Sequence, residues 1–299
     1  MAGVMFDGFS SQRVRTRNAD IHLIRGGHGP TVLLLHGYPQ THACWHRVAP
    51  VLAREFAVIA PDLRGYGDSR GPADDADHRA YSKRALAEDM VEVMTALGHP
   101  RFHVVGHDRG ARVAYRLALD SPDAVRSLTT LDVIPTLELW RHADKAFGLS
   151  TYHWFFLAQP EEMPERLITA SASFFLEHTL RSWAAPGFQF APEALAEYQR
   201  CFTPEVIRAS CADYRAGATT DAQDDANDEA SGRRIRCPML ALWSGLTASA
   251  QEVSQPLAIW RRWADDVRGR HLHSGHFLPE EAPDEVLAEL LPFLRSIQG

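Results

Sequence analysis

Cysteine is scarce. Cys44, Cys201, Cys211 and Cys237 are the four in 299 residues, and they form no CxxC pair and no zinc-type spacing. They read as the reduced thiols of an intracellular protein rather than as a disulfide framework. Long apolar runs are missing too, and the opening MAGVMFDGFSSQRVRTRN has no apolar signal core. The expectation is therefore a cytoplasmic chain without a membrane partner. Positive charge is in deficit: 31 Lys and Arg face 38 Asp and Glu, giving a formal charge of −7. That balance argues against nucleic acid or an anionic membrane surface, and it makes any local group of arginines informative. The most acidic stretch, DAQDDANDEASG, has Ala226 where the sharp turn of a calcium loop needs glycine, so it reads as a solvated helix or linker.

What is present is a globular composition, 45% hydrophobic and 23% charged, in a chain long enough to bury a large core. Short apolar runs read as strands: IHLI (21–24), TVLLL (31–35), AVIA (57–60), FHVV (102–105), SLTTL (127–131), MLALW (239–243) and VRGRHL (267–272). Amphipathic segments lie between them. In 82–97, Leu86, Met90, Val93 and Leu97 share a face, with Ser82 placed to cap the start and Gly98 to end it. A second helix is expected from about Arg109 to Leu119, and a last one over 283–297. Strands separated by helices imply an α/β fold with a mainly parallel sheet. The rhythm stops after Pro135 and returns at Met239. The reading is a core made of 1–135 and 236–299, interrupted by a helical cap over 136–235.

Ligands of such sheets bind at the carboxyl ends of the strands. Four ends carry polar residues here: HGYPQ after TVLLL, GHDRG after FHVV, Asp132 after SLTTL, and HSGHF after the last strand. The spacing G-x-D-x-G is that of a nucleophile elbow, a sharp strand-to-helix turn, with aspartate at its centre. A carboxylate there attacks a saturated carbon bearing a leaving group, and the resulting ester then needs a base for its hydrolysis. A plain helix cap is the alternative for Asp108. His276 competes with His271 and His273 for the role of base. H-x-H-x-x-H could also be a metal site, but no nearby carboxylate set completes one.

The order Asp108, Asp132, His276 resembles that of the α/β-hydrolases. HGYPQ, PDLRGYGDS, GHDRGAR and YHW together resemble the branch of haloalkane dehalogenases and epoxide hydrolases, and within it the fluoroacetate dehalogenases, over nearly the whole chain. The resemblance implies Asp108 as nucleophile, His276 as base and Asp132 as its orienting acid, without metal or cofactor. Many relatives carry the acid after the penultimate strand, where this chain reads WSGLTASA with no carboxylate before Glu252; Asp132 takes its place, or merely caps a loop. Backbone N–H groups of Tyr38 and Arg109 would form the oxyanion hole. His36, Asp62 and Arg64 read as loop supports.

Arg109 and Arg112 stand i and i+3 at the start of the elbow helix and can face one side. Guanidinium groups bind carboxylates through paired hydrogen bonds, so two of them beside Asp108 imply a substrate with its own carboxylate. A pair of solvated surface arginines is the alternative. The resemblance maps halide-binding donors onto His153, Trp154 and Tyr214, though YHWFF also reads as a core aromatic cluster. It also suggests a homodimer. The expected reaction is hydrolysis of a small 2-haloacid, fluoroacetate foremost. The rivals are an epoxide hydrolase using Tyr152 or Tyr214 as acid, and a non-catalytic ligand-binding protein on the same fold.

Overall fold

In the computed structural model, which describes residues 5–246 and 256–297, the strands form one eight-stranded sheet. In chain order they are β1 (Ser10–Arg15), β2 (Asp20–Gly26), β3 (Thr31–Leu35), β4 (Ala57–Pro61), β5 (Phe102–His107), β6 (Val125–Leu131), β7 (Met239–Ser244) and β8 (Val267–Leu272). Their spatial order is β1-β2-β4-β3-β5-β6-β7-β8. β1 and β2 pair antiparallel and β2 meets β4 antiparallel, while every later pairing is parallel. β3 and β5 lie at the centre and are buried at every position, as expected of strands covered by helices on both faces. β1 gave no sequence signal. It is an edge strand, SSQRVR, that buries only Val14, so no apolar alternation announces it.

Local chemistry sets the helix boundaries. The Ser82 side chain accepts a hydrogen bond from Ala85 N to start the helix Lys83–Ala96, and Gly98, at φ +81°, follows its end. The elbow helix Arg109–Asp120 is buried at every position from Arg109 to Leu119. Two glycines allow it to lie so close to the sheet. A Cβ on Gly110 would sit 2.3 Å from the His36 carbonyl oxygen, and one on Gly106 would sit 2.5 Å from Ala111 Cα. Between β6 and β7 the chain is helical, with no strand pairing into the sheet.

The acidic stretch is a helix, Thr220–Ala230, but it is not solvated: Asp221, Asp225 and Asp228 form a buried stripe. Asp221 pairs with Lys83 at 3.1 Å, and Asp225 with Arg116 at 2.9 Å, while Asp228 also pairs with Arg116. The partner cations lie on the two core helices more than a hundred positions earlier, beyond reach of a local reading. No helix among the described residues is long and apolar enough to cross a membrane.

Candidate active site

Four strand ends converge as the parallel sheet requires. Asp108 follows β5 at φ 47°, ψ −117°, a strained conformation for a residue with a side chain. Its Oδ1 accepts the Tyr38 backbone N–H at 2.9 Å, from the loop after β3. Asp132 follows β6, also at positive φ (57°). Its Oδ1 accepts the Ser244 N–H at 2.8 Å and its Oδ2 faces His276 Nδ1 at 2.6 Å. With Nδ1–H given to Asp132, neutral His276 keeps its lone pair on Nε2, which lies 3.8 Å from Asp108 Oδ2. His271 and His273 are exposed, so His276 alone of the three turns inward to this group.

Burial works to raise the Asp108 pKa, but His276, then His107, Arg109 and Arg112 outweigh it and the carboxyl stays below its usual value. Burial works to lower that of His276. The hydrogen bond and charge of Asp132, then the charges of Asp108 and Glu281, more than offset this and raise it. His107, directly before Asp108, is pushed down to about 4 by burial and is neutral. It donates through Nε2 to the His276 carbonyl at 2.7 Å.

Both arginines are buried, not on the surface. They differ in a way the sequence does not show. Arg109 is gripped by Asp213, with Nε to Oδ2 at 2.8 Å and Nη2 to Oδ1 at 3.0 Å. Its Nη1 has no partner among the described residues. Among the described residues Arg112 forms no ion pair; its Nη1 donates to the Ile134 carbonyl and the Thr136 hydroxyl, each at 3.0 Å, and its Nε has no partner among them. Burial pulls the Arg112 pKa below the usual arginine value. Both guanidinium groups lie over aromatic rings: Arg109 over Tyr214 at 4.1 Å and Arg112 over Trp154 at 4.6 Å.

The helical segment brings His153, Trp154 and Tyr214 together with Tyr38. Ring centroids are 5.7 Å apart for His153 and Tyr214, and 5.4 Å for Tyr38 and Tyr214. Burial pushes His153 down to about 3, so it is neutral, and keeps the Tyr214 hydroxyl protonated. His153 Nδ1 and the hydroxyls of Tyr214 and Tyr38 have no partner among the described residues. Asp213 and Trp183 were missed by sequence reasoning. Trp183 closes the wall, its ring 4.3 Å from His153 and 5.4 Å from His276. A lone carboxylate and a lone tryptophan in helical sequence carry no mark of their targets.

His36 Nε2 accepts the Leu63 N–H at 3.0 Å and Arg64 pairs with Asp89 at 2.6 Å, which ties down the loop after β4. His22, His42 and Asp62 have donor atoms within 4.8 Å of one another, a possible metal group. Asp62, however, already accepts from both imidazoles and from the His42 and Asp68 amides, so the cluster is satisfied as a loop clasp. The loop with Glu252 lies outside the described residues.

A doubly flanked parallel sheet with an aspartate elbow, a histidine after the last strand and a second aspartate behind it defines the class. The chain belongs to the α/β-hydrolase fold family, whose description matches residues 30–229. Two curated relatives span almost all of it. A fluoroacetate dehalogenase from Burkholderia sp is 42% identical over 97% of this chain and 95% of its own length. A soluble epoxide hydrolase from Corynebacterium sp. (strain C12) is 33% identical over 93% of this chain and 94% of its own. A candidate α/β hydrolase from Nostoc sp PCC 7120 has a solved structure that superposes with a TM-score of 0.93 at 50% identity. That match covers 96% of this chain and 98% of the other.

Proposed function

We propose that this hydrolase removes the halogen from small 2-haloacids, with fluoroacetate giving glycolate and fluoride. One observation carries the reading. Tyr38 OH, Arg109 Nη1, Arg112 Nε, His153 Nδ1, Tyr214 OH and His276 Nε2 are all buried polar atoms without a partner among the described residues. Such atoms are rare in folded proteins, and a concentration of them around one carboxylate fits a small, highly polar ligand. Arg112 and the free edge of Arg109 suit a carboxylate, and His153, Trp154 and Tyr214 suit a departing halide. The Burkholderia relative supports the same substrate class.

In this mechanism Asp108 Oδ2 forms a bond to the carbon bearing halogen, and the carbon–halogen electron pair leaves with the halide. Hydrogen bonds that strengthen as charge develops on the halide lower the barrier. The product of this step is an ester on Asp108. His276, oriented by Asp132, takes a proton from water, and the hydroxide adds to the ester carbonyl of Asp108. The Tyr38 N–H at Oδ1, with that of Arg109, stabilises the oxyanion. Collapse expels the alkoxide, which takes the proton back from His276 to give the hydroxy acid, and the acid formed on Asp108 ionises to restore the carboxylate. A homodimer in the cytoplasm belongs to the same proposal, and light scattering after gel filtration reads the mass.

A second reading, epoxide hydrolysis, is favoured by the Corynebacterium relative and by the free Tyr214 hydroxyl. Tyr152, 40% exposed, is the poorer acid. The deciding experiment compares halide release from haloacetates with diol formation from epoxides, for wild type and Asp108→Asn. Halide release at rates far above diol formation, abolished in the variant, is expected. Equal turnover of uncharged haloalkanes would undo the carboxylate assignment. Failure on every haloacid and epoxide would favour a non-catalytic ligand-binding role.

A further inference from the structure

The loop that carries His276 is held by a carboxylate that the mechanism above does not use. Glu281 stands at the end of the short helix Leu278–Glu281, just past that loop. Its Oε2 accepts the Gly275 N–H at 2.8 Å and its Oε1 the Phe277 N–H at 2.7 Å. The amides on either side of His276 are thus bound to one side chain. The amide of His276 itself donates to the Trp183 carbonyl at 2.9 Å. Oε2 of Glu281 accepts a third N–H, from Ala185, at 2.8 Å. Trp183 ends the helix Ala172–Trp183 of the inserted segment, and its ring packs edge-on against the His276 imidazole. The contact is close: a Cβ on Gly275 would fall 2.3 Å from Ala185 N.

We propose that Glu281 is a positioning residue for ester hydrolysis, fixing His276 by its two flanking amides and tying that position to residues 183–185 of the helical insertion. The proposal rests on the reading of Asp108 as nucleophile and His276 as base. No cation offsets this carboxylate in an ion pair among the described residues; three backbone dipoles hold it instead. Its negative charge also favours the imidazolium, together with Asp132 and Asp108. Among the described residues neutral His107 and His153 also face the ring.

Glu281→Gln keeps the shape but sets an NH2 against at least one N–H that needs an acceptor, and removes the charge. The test is single-turnover halide release, with mass spectrometry of the Asp108 ester, alongside NMR titration of the 15N-labelled His276 imidazole. Alkylation does not need the base, so the expected result is a halide burst of near wild-type rate. Steady-state kcat falls at least tenfold, KM falls in proportion, and the ester accumulates. The His276 midpoint moves to lower pH. Gly275→Ala, which forces the same contacts apart while leaving the carboxylate, should also accumulate ester. Equal loss of burst and turnover, or an unmoved His276 midpoint, overturns the proposal. Absence of any halide release by wild type would instead sink the dehalogenase reading, and the midpoint shift would then decide on Glu281 by itself.

Discussion

At the scale of single residues, the two arginines beside Asp108 look equivalent in sequence and are not. Asp213 satisfies most of Arg109, whereas Arg112 is a buried cation without an ion pair among the described residues. Arg112 should therefore carry more of the carboxylate binding. Arg112→Leu is expected to raise KM for fluoroacetate by about 10- to 100-fold, the cost of roughly 1.5–3 kcal/mol for a charge-assisted hydrogen bond. Arg112→Lys should recover little, because an ammonium lacks the planar fork. Steady-state kinetics on both variants checks this, and an unchanged KM would discard the role. The raised His276 pKa gives a second expectation. As the proposed base, His276 would act only when neutral, so turnover should be lost as pH falls through a value above the usual 6.5. A pH profile of ester hydrolysis with its acid limb below 6.5 would contradict that. Asp108, Asp132 and His276 were legible because each follows a recognisable strand. Asp213, more than a hundred positions from Arg109, was not, since nothing local tells a partnered carboxylate from a solvated one.

At the scale of elements, the strands at the sheet centre declared themselves through unbroken apolar runs, and the elbow through its glycines. The acidic helix Thr220–Ala230 deceived for a physical reason. Its stripe of Asp221, Asp225 and Asp228 repeats with the same i, i+4, i+7 spacing as an apolar face, and it is buried by pairing rather than by hydrophobicity. Arg116 lies between Asp225 and Asp228 and is itself almost fully buried. Truncating one partner leaves the others short of compensation, so Asp228→Ala should destabilise the fold by about 3 kcal/mol. Replacing the exposed Glu205, which pairs with Arg208 on the surface at 3.1 Å, should cost well under ~1 kcal/mol. Urea denaturation of the two variants side by side separates these cases, and similar midpoints would refute the distinction.

At the scale of the whole molecule, the HGYPQ loop, the insertion and the C-terminal segment meet at Glu280. Its Oε2 accepts from the Tyr198 hydroxyl at 3.0 Å and from the Gln40 amide. Burial pushes its pKa up to about 8, against the opposing pull of those two hydrogen bonds. The folded state then binds a proton more tightly than the unfolded chain. The stabilisation is full below the ordinary glutamate range and is lost as pH rises toward 8. Wild type should lose a few kcal/mol of stability, on the order of 1.4 per pKa unit, between pH 5 and 9 from this group. Glu280→Gln should flatten that slope, and parallel pH dependences of Tm in the two proteins would show the group to be silent. Neither the junction nor its pH response could be read from sequence, because its members come from three separate stretches of chain.

The backbone at Asp108 has one more consequence. Its positive φ is imposed by the strand, the helix and the small residues around them, and any L-residue placed there inherits the same strain. The elbow is thus a socket, and the side chain in it an interchangeable part. Asp108→Asn and Asp108→Ser should melt within a few degrees of each other, and neither should attack a saturated carbon, because both lack the carboxylate.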